Sequence, residues 1–84
     1  MLRSLSWQEP ESLVGWLCLI SWRPFYIDIG TIDEYCLIDE DTEVRYKGTW
    51  GSTEEGAIKG LNMQGSIPIR KDIIVSISPI KQIF

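Results

Sequence analysis

Arg70, Lys71 and Asp72 form a short polar turn between two apolar runs, Ile67-Pro68-Ile69 and Ile73 to Ile80. An Arg at such a tip offers a planar fork for hydrogen bonding and a cationic face for stacking. Asp72 is close enough in the chain to hold that fork in place. Lys71 brings a second positive charge suited to a phosphate. Trp50 sits in a loop of Gly, Ser and Thr, the place where an aromatic ring is most open to a passing base. Lys59 and Lys81 are the other cations of the C-terminal third. Cations with interleaved aromatics point to a single-stranded nucleic acid, and Arg70, Lys71, Asp72, Trp50 and Lys59 are the candidate binding residues.

Other chemistries find less support. The 84 residues include no His, which removes the commonest general base and the commonest zinc ligand. Two cysteines, Cys18 and Cys36, are too few for a disulfide scaffold or a thiolate zinc site, and they read as buried, reduced, small apolar residues. Asp28, Asp33 and Glu34 could pair as acid and base, but no activated nucleophile or phosphate loop accompanies them. Asp39, Glu40, Asp41 and Glu43 resemble half of a calcium loop without its Gly or its closing bidentate Glu, and read as a solvated hairpin tip. The expectation is a binding module that is not an enzyme and needs neither cofactor nor metal.

The elements that must position these groups read mostly as strands. Phe25 to Ile29, Tyr35 to Ile38, Glu43 to Lys47, Ala57 to Met63, Ser66 to Ile69 and Ile73 to Ile80 are short runs rich in β-branched and aromatic residues, separated by turn signals. Ser6 and Glu9 stand as in a capping box ahead of Pro10, so a short helix or turn within roughly Pro10 to Leu19 is favoured, with strand structure by Trp22; the same apolar residues also suit a buried strand, and their periodicity does not separate the two. The apolar run Leu13 to Trp22 is preceded by Glu9 and Glu11 and lacks a small-residue cleavage site, so it reads as part of a cytoplasmic protein and not as a secretion signal. No run is long enough for a transmembrane helix.

Charge is uneven. Net charge is -4 overall, but residues 28–55 hold nine acids and two bases, and residues 56–84 hold four bases and one acid. These charges read either as solvated strand faces and hairpin tips or as acidic and basic surfaces on different sides of one subunit, and the second arrangement would favour head-to-tail association. A chain this short also has a thin core, about 60% of its unfolded surface buried, and gains from oligomerisation.

The segment Ile69-Arg70-Lys71-Asp72-Ile73-Ile74-Val75-Ser76-Ile77-Ser78-Pro79 resembles the second sequence motif of the Sm-like (LSm) family of RNA-binding ring proteins. That motif runs apolar-Arg-Gly, two variable residues, then an apolar strand often ending Ile-Ser-Pro. Lys71 stands where the family has Gly. The first motif is matched only at its opening, by Gly30-Thr31-Ile32 or by Gly15-Trp16-Leu17, and the family's base-pairing Asn is absent in both registers. The resemblance implies a mainly β, strongly bent five-stranded small barrel with a short N-terminal helix, occupying residues 1–84 as one domain. It also implies a homo-oligomeric ring of about five to seven subunits that binds single-stranded RNA or DNA. Arg70 would then be the main contact, Lys71 a phosphate contact and Asp72 the residue that orients Arg70. The alternative is a small-barrel adaptor, such as a phage or plasmid accessory protein, that uses its acidic middle to bind another protein.

Overall fold

The apolar stretch near the N-terminus turns from helix to strand within two residues. In the computed structural model, which describes residues 9–24, 30–40, 45–63 and 65–84, Pro10–Leu13 form one 3-10 turn. Gly15 then takes a left-handed φ of +89°, a conformation costly to any residue with a Cβ. Strand β1, Trp16–Trp22, starts directly after it. Of the two readings of Pro10 to Leu19, the helix is therefore cut back to the single turn Pro10–Leu13, and the buried strand holds from Trp16 onward. Glu9 occupies its N-cap position, its side chain making no capping bond to the turn, and Ser6 lies outside the described residues.

Four further strands follow: β2, Ile32–Asp39; β3, Lys47–Gly51; β4, Ile67–Pro68; and β5, Ile74–Gln82. They make one five-stranded antiparallel sheet in the order β4-β3-β2-β1-β5. The protein is mainly β with five strands, as expected. Among the described residues, however, the sheet is open and not closed into a barrel, because β4 and β5 are its two edges and do not pair. The physical reason lies in β4. It has two residues, one of which is Pro68, and a proline cannot donate to a ladder.

The helix stands between β3 and β4, not at the N-terminus. Helix α1, Glu54–Asn62 with Met63 as its C-cap, takes up the run Ala57 to Met63 that reads as a strand in the sequence. Thr53 caps it: the Gly56 backbone N–H donates to the Thr53 hydroxyl at 3.0 Å, and Glu54 and Glu55 sit at the positive end of the helix. Ala57, Ile58 and Leu61 pack against the sheet with Leu17, Leu37, Tyr35 and Ile83. Gly51 allows the contact, since a Cβ there would lie 2.7 Å from the Ala57 nitrogen. The fully buried Thr49 hydroxyl donates to the Ala57 carbonyl at 2.6 Å.

Alternation sorts the strand residues onto two faces. One face carries Leu17 and Leu37 under α1. The other gathers Cys18, Ile20, Cys36, Ile38, Ile69 and Ile77 with Leu13 from the 3-10 turn, flanked by Trp16, Trp22, Tyr46, Trp50 and Ile74. Because both faces of β1 are covered, its sequence is apolar from Trp16 to Ile20 and lacks the alternation of a half-exposed strand. Residues 25–29 and 41–44 lie outside the described residues, and with them the strand expected at Phe25 to Ile29 and the first two residues of the one expected at Glu43 to Lys47; of the rest, Arg45 and Tyr46 form a bend and only Lys47 is in a strand. Tyr46 itself precedes β3 with a left-handed φ of 60°.

Candidate nucleic-acid interface

A cleft of about 310 Å³ opens on the face opposite α1, between the two sheet edges. Its lining comes from the end of β1 (Trp22) and Pro24, from β2 (Glu34) and β3 (Trp50), and from the segment Ile67, Pro68, Arg70, Ile73 and Ile74. It occupies the gap that closure of β4 onto β5 would fill. The short, proline-bearing β4 both prevents that closure and leaves the indoles accessible.

Each indole N–H is anchored. Trp22 Nε1 donates to Glu34 Oε1 at 3.1 Å, a diagonal cross-strand contact between β1 and β2. Trp50 Nε1 donates to the Ile67 carbonyl at 3.4 Å, which ties β3 to β4. With both polar atoms engaged, the rings offer apolar surface to the cleft.

Arg70 lines the same cleft, and its guanidinium donates to Asp72 Oδ2 at 2.9 Å. Lys71 and Ile73 between and beyond them form a short 3-10 turn ahead of β5. This compact turn brings the two charged side chains together, as their spacing implies. Both remain more than half exposed, so a ligand can reach the Arg70 fork.

Lys71 points elsewhere. Its ammonium lies 3.1 Å from Glu11 and 3.3 Å from Glu9, and 4.6 Å above the Tyr46 ring. The hydrogen bond to Glu11, opposed by desolvation and helped by the contact with Glu9, holds its pKa above the ordinary lysine value. Lys71 thus joins the N-terminal 3-10 turn to the turn before β5. Lys59 is on α1, exposed, on the other face of the sheet.

Of the five residues singled out in the sequence, the structure therefore brings Trp50 and Arg70 to one cleft with Asp72 beside Arg70, and leaves Lys71 and Lys59 outside it. It adds Trp22 and Glu34. Trp22 was visible in sequence only as one of several aromatics. Glu34 was visible only as one of several acids, because the pairing of β1 with β2 is what sets it against Trp22.

The two thiols do not join the site. Cys18 and Cys36 are fully buried cross-strand partners. Burial pushes the Cys18 thiol up to about 11, and burial followed by the neighbouring Cys18, Asp39 and Glu34 pushes Cys36 higher still. Among the described residues, no helix is long and apolar enough to cross a membrane. No known protein family, curated protein or solved structure matches this chain.

Proposed function

We propose that this chain is a nucleic-acid-binding module that takes an unpaired base of single-stranded RNA or DNA into the Trp22–Trp50 cleft. The observation that carries the reading is that two indoles and the Arg70 guanidinium line one apolar cleft. Its volume is at the small end of ligand sites, about 300–1,000 Å³. Aromatic surfaces stack bases of any sequence, and each stacked base contributes about 1–3 kcal/mol. Arg70 at this cleft serves the phosphate next to the inserted base or stacks on the base itself. Asp72 orients it.

Binding of this kind rests on stacking more than on charge. Glu34 and Asp72 offset Arg70, and Lys71 is engaged with Glu9 and Glu11. A homo-oligomeric, Sm-like ring of about five to seven cytoplasmic subunits, which the resemblance around Arg70 implies, would repeat the cleft and raise a weak affinity through avidity. Two unpaired sheet edges, β4 and β5, among the described residues are compatible with subunits joining edge to edge.

The test is a titration of short single-stranded oligonucleotides at low salt, followed by tryptophan emission. Arg70→Ala should weaken binding without changing the particle mass measured by light scattering. The logarithm of affinity should fall with the logarithm of salt with a slope of about -0.7 for one phosphate contact. Unchanged affinity in Arg70→Ala at low salt would count against the reading, and a clean monomer would remove the ring.

A second reading is a protein adaptor in which the cleft takes an apolar peptide segment. The near-balance of charge around the cleft and the prolines in its wall favour it. A pull-down at physiological salt that retains a protein partner and no nucleic acid would select it.

A further inference from the structure

We propose that Glu34 makes the cleft selective for guanine, an inference that rests on the base-binding reading above. Glu34 is the acidic residue of the lining, half-buried on β2 among Trp22, Trp50 and the isoleucines. Its carboxylate is held in place, because Oε1 accepts the Trp22 indole N–H at 3.1 Å. The bond couples a stacking wall to a pair of acceptors. A carboxylate has about four lone-pair sites on two oxygens, so one bond to Trp22 leaves acceptors for a ligand.

The donor and acceptor patterns of the bases decide what can meet those acceptors. On its pairing edge guanine presents two adjacent donors, the ring N1–H and the exocyclic amino group. A carboxylate accepts both at once. Adenine and cytosine present an amino donor next to a ring nitrogen acceptor. Uracil and thymine present one N–H flanked by two carbonyls. Each of these sets at least one lone pair against a carboxylate oxygen, and the apolar wall strengthens that repulsion as it strengthens the correct bonds. Discrimination by a matched pair of hydrogen bonds is about 5-fold to 150-fold in other protein–base contacts.

The selectivity does not come from the cation side of the cleft. Arg70 is tied to Asp72 and serves phosphate or stacking, both of which are common to all four bases. Glu34 also lowers affinity for every polyanion alike, so its charge by itself does not discriminate among bases.

The experiment titrates the full-length chain at low salt with pyrimidine oligonucleotides that carry one central G, A, C, U or inosine. Inosine keeps the N1–H and lacks the amino group, so it tests the second hydrogen bond without altering the protein. The G oligonucleotide is expected to bind about tenfold more tightly than A, C or U, with inosine losing most of that advantage. Glu34→Gln keeps an acceptor for Trp22 and replaces one oxygen with a donor. It should reduce the G preference to about twofold or less. Equal binding of all bases by the unmodified protein, or a G preference that survives both inosine and Glu34→Gln, overturns the role of Glu34 while base binding stands. Failure of every oligonucleotide to bind overturns both.

Discussion

The hydroxyl of Thr49 donates to the carbonyl of Ala57 across 2.6 Å of fully buried space, and that bond fastens α1 to β3. Thr49→Val keeps the shape and removes the donor. It should lower stability by about 1 kcal/mol, the net worth of a typical intramolecular hydrogen bond, seen as a lower urea midpoint at unchanged slope. Oligonucleotide affinity should not move, because this bond is on the face away from the cleft. A fall in affinity beyond the fall in folded fraction would show that α1 and the cleft are coupled.

Gly48 and Cys36 are a tighter pair. A Cβ on Gly48 would collide with the Cys36 sulfur. Gly48→Ala alone should therefore cost about 1–3 kcal/mol as overpacking. Adding Cys36→Ala frees the space that the new methyl needs. The double variant should then be more stable than the sum of the two single changes predicts, a favourable coupling read from a double-mutant cycle in urea. Strict additivity would mean that the strand shifts to absorb the methyl.

Alkaline conditions should destabilise the fold through three groups acting in the same direction. The Cys18 and Cys36 thiols ionise near 9.0 when unfolded, but in the folded chain Cys18 holds its proton to about 11 and Cys36 to a higher pH. The unfolded state thus releases protons first, and stability falls once pH passes about 9. Lys71, raised above 10.5 by Glu11 and Glu9, adds stability that is complete below 10.5 and lost as pH rises through its folded value. Urea midpoints should hold steady from about pH 7 to 8.5 and then fall. Cys18→Ala should fall less steeply over the same range. A midpoint that stays flat up to about pH 11 would sink the argument.

Arg70 and Lys59 carry the same charge on opposite sides of the sheet. Arg70→Ala should weaken single-strand binding and flatten its salt dependence, and Lys59→Ala should do neither. Fluorescence titrations at two salt concentrations separate the outcomes. Equal losses in both variants would mean that the strand wraps around the subunit and is not held at the cleft.

Much of the strand structure was legible because it follows from side-chain type. Tyr35-Cys36-Leu37-Ile38 and Ile73 to Ile80 are runs of residues that suit a pleated sheet, and they fall within or overlap β2 and β5. The Arg70–Asp72 contact was also legible, since two residues in a tight turn have few ways to stay apart. Helix α1 was not. Gly56 and Gly60 make its sequence look like an interrupted strand, and its true signal was the cap at Thr53 with acids behind it. Glycine suits these positions because the helix lies close on the sheet: a Cβ on Gly60 would come within 3.3 Å of the Thr49 Cβ. The start of β1 was obscured for a different reason. An apolar run covered on both faces has no period to read.

Residue types alone set the local chemistry: which runs favour strands, that Pro68 could not donate to a ladder, and that Arg70 and Asp72 would meet. Only the tertiary structure decided that the sheet stays open at β4 and that the opening becomes a cleft. It also decided that Trp22, Glu34 and Trp50, separated in succession by twelve and sixteen positions of the chain, share that cleft with Arg70. Spacing along the chain carries no record of strand register. The register of β1 on β2 and of β2 on β3 is set by which apolar faces can be buried together, and that is a property of the whole sheet.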